Sequence, residues 1–202
     1  MKRIAIFASG SGSNAEKIIE KLAPFADVEV SFILCNNYKA GVIERARRLK
    51  IPVLLFDRTT FYDTHKIAQI LQNQQVDLIV LAGFMWLIPG YLVEAFPDKI
   101  VNIHPALLPK FGGKGMYGQH VHQAVIAAQE VQSGITIHFV NQQYDKGQII
   151  FQASCVVSDT DTPESLEVKI HALEHAHYPE VVRQLIFNET TENVHQSKTN
   201  KL

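Results

Sequence analysis

The sequence predicts an α/β fold: a doubly wound, mostly parallel sheet with an antiparallel edge near the C-terminal half, helices on both faces and a long C-terminal helix. Three observations predict it. Short apolar runs alternate with amphipathic stretches through the first hundred residues. Several of those runs are apolar almost throughout, as strands covered on both faces must be. After residue 103 the alternation gives way to two strands of period two and one long helical pattern.

The elements follow in order. Arg3–Ala8, Val28–Leu34, Pro52–Leu55, Leu78–Ala82 and Ile100–Ile103 read as buried strands. Between them, Asn14–Leu22 places Ile18, Ile19 and Leu22 on one helical face, Val42–Leu49 is cationic on its outer face, and Thr64–Gln74 carries Ile67, Ile70 and Leu71. Strands separated by helices of this length make right-handed βαβ units. His104–Gly118 is a loop rich in Pro and Gly, followed by a helix over Gln119–Gln129. Gly134–Val140 and Gln148–Val156 alternate around Asn141–Gly147, which fits antiparallel pairing at the sheet edge. Thr162–Phe187 reads as the long final helix, opened by an N-cap threonine with proline at the first helical position. Residues 188–202 are polar and read as a frayed tail.

Composition excludes several classes. The 202 residues are 47% hydrophobic, enough to bury a sizeable core, and rule out a long disordered chain. Nineteen basic residues against twenty acidic ones give a net charge of −1, which argues against a nucleic-acid binder needing a basic face. A small anionic ligand is still compatible, because a local field can be positive on a neutral protein. Cys35 and Cys155 lie in apolar runs and read as reduced core thiols of a cytoplasmic protein. The apolar stretch Ile4–Ala8 is shorter than the roughly 7–15 residues of a secretory h-region, and the run Leu78–Ile88 is far short of the roughly 20 that span a bilayer.

Two constellations carry chemistry. Ser9-Gly10-Ser11-Gly12-Ser13-Asn14 sits where the first strand turns into the first helix, so that a phosphate would meet free backbone N–H groups and the positive end of a helix dipole. The dinucleotide fingerprint also wants an acidic residue after the second strand, where this chain has Leu34-Cys35-Asn36-Asn37. A mononucleotide-like phosphate therefore fits better than a dinucleotide, with a ligand-free tight turn as the alternative. Asn102 and His104 leave the same face of a strand end, an amide and an imidazole donor of the kind a developing oxyanion needs. Taken alone, His104 reads equally as a structural histidine. Asp145 is available to orient it and raise its pKa, although sequence cannot place the two together. His65, His120, His122, His177 and His195 read as solvated, and His120 with His122 lacks the further ligands of a metal site.

Six motifs in one order now resemble a known family. SGSGSN after the first strand, LAGFM at Leu81–Met85, VNIHPALLPKF at Val101–Phe111, GITIHFV at Gly134–Val140, D-x-G at Asp145–Gly147 and EHAHYP at Glu174–Pro179 closely resemble the phosphoribosylglycinamide formyltransferases (glycinamide ribonucleotide transformylases) of the folate-dependent formyltransferase superfamily. The resemblance runs from Arg3 to about Ile186. It implies a single formyltransferase domain over residues 1–187, with a nucleotide-binding half about 1–100 and a catalytic and folate half about 101–187. It implies formyl transfer from 10-formyltetrahydrofolate to the amine of glycinamide ribonucleotide in de novo purine biosynthesis, with no metal and no tightly bound cofactor.

The resemblance also implies roles for residues. Gly12, Ser13 and Asn14 would hold the substrate phosphate, and Glu174 the ribose hydroxyls. Arg58, Met85, Trp86, Leu87, Ile88, Asn102, Asn141, Tyr144 and Asp145 would contact the folate. Asn102, His104 and Asp145 would be the catalytic trio, with His104 held protonated by Asp145. Trp86, where some relatives carry Arg, Lys146 after the aspartate, and His171 one turn before Glu174 depart from the pattern. The glycine-rich run Gly112–Gly118 reads as mobile, with Lys114 a solvated residue or, alternatively, a second anion contact. The implied partners are small molecules, with no nucleic acid and no membrane, in a monomer or weak homodimer.

Two enzymes and one binding module are the rivals. Formyltetrahydrofolate deformylase would carry a regulatory domain ahead of the glycine loop, and methionyl-tRNA formyltransferase an added C-terminal domain; the length leaves no room for either. A nucleotide-binding module accounts for the glycine loop but not for Asn102, His104 and Asp145 together.

Overall fold

The computed structural model describes residues 1–189. A seven-stranded sheet runs in the order β3-β2-β1-β4-β5-β6-β7. Its strands are β1 (Lys2–Ala8), β2 (Val28–Cys35), β3 (Val53–Leu55), β4 (Leu78–Leu81), β5 (Ile100–His104), β6 (Gln132–Phe139) and β7 (Ile149–Val156). The pairs from β3 through β5 are parallel, and β5–β6 and β6–β7 are antiparallel. The strands and the C-terminal edge match the fold class that the hydrophobic periods predict.

Alternation along β1 explains why the sheet is covered twice. Ile4, Ile6 and Ala8 enter one core, which they share with Ile18 and Leu22 of α1 (Ser13–Leu22) and Ala46 of α2 (Val42–Leu49). Ala5 and Phe7 enter the other. That second core takes in Phe61 of α3 (Arg58–Tyr62), Ile67 and Leu71 of α4 (Lys66–Asn73), and Leu92 of α5 (Gly90–Ala95). Every residue of β1 from Ile4 to Ala8 is fully buried, so the strand needs apolar side chains on both faces. α3 and α5 are additions to the expected elements. Both are too short for a helical period to show, and α3 owes its start to Asp57, whose carboxylate accepts the Thr60 N–H at 2.7 Å.

α6 (Gln119–Ala127) and α7 (Pro163–Ile186) close the first core. The N-terminus of α7 is a reciprocal cap: Ser165 N–H donates to Thr162 Oγ1 at 3.2 Å and Thr162 N–H to Ser165 Oγ at 2.9 Å. Ile170, Glu174 and Tyr178, four apart, form its buried face. The Tyr178 hydroxyl reaches the carbonyls of Leu81 at 3.0 Å and Val101 at 3.1 Å, which pins α7 across the ends of β4 and β5.

Two surface expectations need correction. Cys35 is buried, but Cys155 on edge strand β7 is only half-buried, because one side of an edge strand lacks a neighbour. His65 and His120 are exposed and His177 packs half-buried against Phe151, whereas His122 is 2% exposed. It lies on the α6 face that α7 covers, so a histidine read as solvated is interior. His195 and the expected tail from residue 190 onward lie outside the described residues. Among the described residues no helix is long and apolar enough to cross a membrane.

Candidate active site

The sheet order reverses between β1 and β4, and the crevice beyond the C-terminal ends of parallel strands at such a point is where open α/β sheets bind ligands. A cavity of about 290 Å³ opens there. Two loops and a polar centre on the strand ends build it.

The first follows β1. Gly12 adopts φ +78° as the N-cap of α1, and a Cβ there would fall 2.5 Å from Val42 Cγ2, so only glycine lets α2 pack this closely. No side chain caps α1, which leaves its first N–H groups for a ligand. Ser9 ties this loop to the one after β4: its N–H donates to the Gly83 carbonyl at 3.1 Å, and its Oγ accepts the Met85 N–H at 3.1 Å. Asn14 is committed to α7, its Nδ2 donating to Glu174 Oε2 at 2.8 Å. Burial raises the Glu174 carboxyl pKa, and the Asn14 hydrogen bond opposes this only in part.

The second loop carries Met85–Ile88. Trp86 stands at the lining and packs edge-on against Phe56 and tilted against Phe61. Arg58 is not among the lining residues. Its exposed guanidinium lies over the rings of Tyr62 at 4.8 Å and Trp86 at 5.6 Å as a cation–π partner.

The third group is the polar centre. Asn102 and His104 come from β5, and the antiparallel register sets His138 of β6 directly opposite Asn102. His138 Nδ1 donates to the Phe139 carbonyl at 2.8 Å, so its Nε2 accepts from Asn102 Nδ2 at 3.2 Å, orienting the amide. Asp145 adopts φ +54° and receives the Gly113 N–H at 2.8 Å. Its Oδ2 lies 3.6 Å from His104 Nδ1 and its Oδ1 3.6 Å from His138 Nε2. Gly147 makes this turn possible: a Cβ there would fall 1.6 Å from the Phe139 carbonyl oxygen. Burial pushes the Asp145 pKa up, but the His138 contact, the nearby His104 ring and the Gly113 N–H together bring it below the ordinary value.

His104 departs from the expectation that Asp145 holds it protonated. Its side chain is buried, and burial lowers its pKa more than Asp145 and the Phe111 carbonyl raise it. Its Nε2–H donates to the Phe111 carbonyl at 2.8 Å.

The structure thus brings Gly12, Ser13, Asn14, Met85, Trp86, Leu87, Ile88, Asn102, His104, Asn141, Tyr144, Asp145 and Glu174 around one cavity, with Arg58 outside its lining and over Trp86. It adds His138, His122 and Glu167, to which the sequence reading gave no role, and it includes His171. His138 was visible within the GITIHFV motif of an alternating strand but without a role, and the register that makes it a neighbour of Asn102 is a tertiary fact. Lys146 and Lys114 are exposed and neither lines the cavity. Among the described residues no group of three or more His, Cys, Asp or Glu side chains could hold a metal ion.

Comparison with known proteins agrees with this geometry. A family model described as formyl transferase matches residues 2–182. The phosphoribosylglycinamide formyltransferase of Bacillus subtilis is 40% identical over 92% of this chain and 95% of its own length. The chloroplastic phosphoribosylglycinamide formyltransferase of Arabidopsis thaliana is 43% identical over 90% of this chain, which spans 64% of that longer relative. Among solved structures, phosphoribosylglycinamide formyltransferase from Bacillus halodurans superposes with a TM-score of 0.82 at 39% identity, covering 92% of this chain and 95% of that one. Glycinamide ribonucleotide transformylase 1 from Symbiobacterium toebii gives 0.84 at 35%, covering 93% and 89%.

Proposed function

The chain belongs to the formyl transferase family, and we propose that it moves the formyl group of 10-formyltetrahydrofolate to the amine of glycinamide ribonucleotide, in purine biosynthesis. One observation carries this reading. A single cavity has an uncapped glycine loop at one end, an apolar segment around Trp86 at another, and Asn102, His104 and Asp145 between them. Such an arrangement suits a phosphorylated amine and a flat aromatic cosubstrate meeting over a group that stabilises an oxyanion.

The chemistry follows from the groups. The amine nitrogen attacks the formyl carbon, the carbonyl electrons move onto oxygen, and a tetrahedral intermediate forms. That oxygen takes the place of the Phe111 carbonyl as acceptor of the His104 Nε2–H, and accepts the Asn102 N–H that His138 does not use. Negative charge growing beside the ring raises its proton affinity, so His104 needs no permanent charge in the resting protein. Asp145, whose Oδ2 lies 3.6 Å from His104 Nδ1, pairs with the ring as it takes up charge and, through water, carries a proton from the attacking amine to N10 as the C–N10 bond breaks. Neither cysteine is a nucleophile in this scheme; burial raises both thiol pKa values, which keeps them protonated and unreactive. The two free thiols are in keeping with a cytoplasmic setting.

The test is formyl transfer measured with and without glycinamide ribonucleotide. Formyl loss that depends on the amine supports the reading; loss of formate to water at the same rate without it overturns it in favour of a hydrolase. His104→Ala and Asp145→Ala should each lower kcat by about 100-fold or more in folded protein. Near-normal turnover in both would remove the trio from the mechanism.

A further inference from the structure

Four consecutive carbonyls of the glycine loop are engaged by protein donors on the side facing α2 or within α1. Ser9 O accepts from Asn37 Nδ2 at 3.3 Å, Gly10 O from the Val42 N–H at 3.1 Å, Ser11 O from Arg45 Nε at 2.9 Å, and Gly12 O from the Glu16 N–H at 3.0 Å. A trans peptide is planar, with its C=O and the following N–H pointing in opposite directions. Fixing the Ser11 carbonyl on α2 therefore aims the Gly12 N–H away from α2, toward the side on which residues 10–14 line the cavity.

Arg45 does more than hold one carbonyl. Its Nη1 also pairs with Glu16, whose second carboxylate oxygen pairs with Arg48. Glu16 is 9% exposed, in the first turn of α1, one turn beyond the glycines. An unpaired carboxylate there would repel an anion bound at the helix N-terminus. Two arginines from α2 cancel it, and the guanidinium fork of Arg45 spans the carboxylate and the Ser11 carbonyl at once, which a lysine cannot do with one ammonium.

We propose that Arg45 is a positioning residue for the nucleotide: from outside the cavity it sets the loop N–H groups and neutralises Glu16, so that the glycine loop is arranged for a phosphate before one arrives. The role rests on the reading of residues 10–14 as the phosphate site. It acts on binding, not on the reaction centre, because Arg45 touches neither the cavity nor Asn102, His104 or Asp145.

Steady-state kinetics with glycinamide ribonucleotide and 10-formyltetrahydrofolate test it. Arg45→Met should raise KM for the nucleotide about tenfold or more, the loss of charged hydrogen bonds, while kcat and KM for the folate stay within about twofold. Arg45→Lys should fall between wild type and Arg45→Met. A nucleotide KM unchanged in folded Arg45→Met overturns the proposal. So does a common decline of kcat and both KM values, which would mark general loosening. Ser13→Asp, placing a carboxylate among the same N–H groups, separates the two levels of the argument. If it raises the nucleotide KM while Arg45→Met does not, only the role of Arg45 fails. If neither variant changes it, the phosphate reading beneath fails too.

Discussion

At the scale of single residues, the centre works by orientation. An amide can present either oxygen or nitrogen to a substrate, and what orients it here is His138, whose Nδ1–H is bound to the Phe139 carbonyl and whose Nε2 lies 3.2 Å from the Asn102 amide nitrogen. Asn102→Ala removes one oxyanion donor and should lower kcat about 100- to 1000-fold. His138→Ala leaves the donor present but unaimed, and since misplacement of about 1 Å can cost on the order of 100-fold, its kcat should fall between those of Asn102→Ala and wild type. Equal kcat in His138→Ala and wild type would show that Asn102 needs no partner. Asn102 and His104 were legible as a pair because strand geometry fixes residues two apart on one face. Asp145 was legible as a residue type but not as a neighbour. Its approach depends on a positive φ, on Gly147 tolerating contact with the Phe139 carbonyl, and on the Gly113 N–H from a distant loop.

At the scale of elements, α7 links the outer layer of the fold to the cavity. Its period was plain from residue 162 onward, including the cap, but the side it buries was not, since three residues of its inner face (Glu174, Tyr178 and Gln184) are polar. Tyr178 accounts for one of these. It is fully buried, burial raises its pKa well above the ordinary tyrosine value, and its hydroxyl proton is shared by the carbonyls of Leu81 and Val101. Tyr178→Phe leaves buried acceptors without that donor, and stability in urea should fall by about 1–3 kcal/mol. Because Glu174 lies one turn earlier on the same face and holds Asn14, the nucleotide KM should rise in the same variant, with kcat nearly unchanged. A stable variant with wild-type KM would show that α7 is held by its apolar contacts alone. α3 shows the opposite limit. Arg58 entered only as a folate contact implied by the family resemblance; a five-residue helix has no period to reveal, and it sets the guanidinium over Tyr62 and Trp86.

At the scale of the molecule, the doubly wound order concentrates buried titratable groups at one edge of the sheet, and this sets how stability responds to acid. His104 and His122 are both 2–3% exposed, and burial lowers both pKa values below 6.5, against partial opposition from Asp145 and Glu167 respectively. Between the folded pKa and 6.5 the unfolded chain binds protons at these rings that the folded chain does not. Stability must therefore rise with pH across that window and fall on acidification through it. Glu174 works the other way: its raised pKa makes the folded chain bind a proton that the unfolded chain lacks just above 4.5, which offsets part of the loss at the acid end. The expected outcome is a urea midpoint that declines as pH drops from about 7.5 toward 5.5, with these two histidines and the half-buried His175, whose pKa burial also lowers, outweighing the one carboxyl over most of that range. His122→Gln removes one of these rings, keeps an amide of similar reach, and should make the decline shallower. A midpoint flat over that range, or the same slope in His122→Gln and wild type, would mean that these rings take up protons as readily in the folded chain as in the unfolded one.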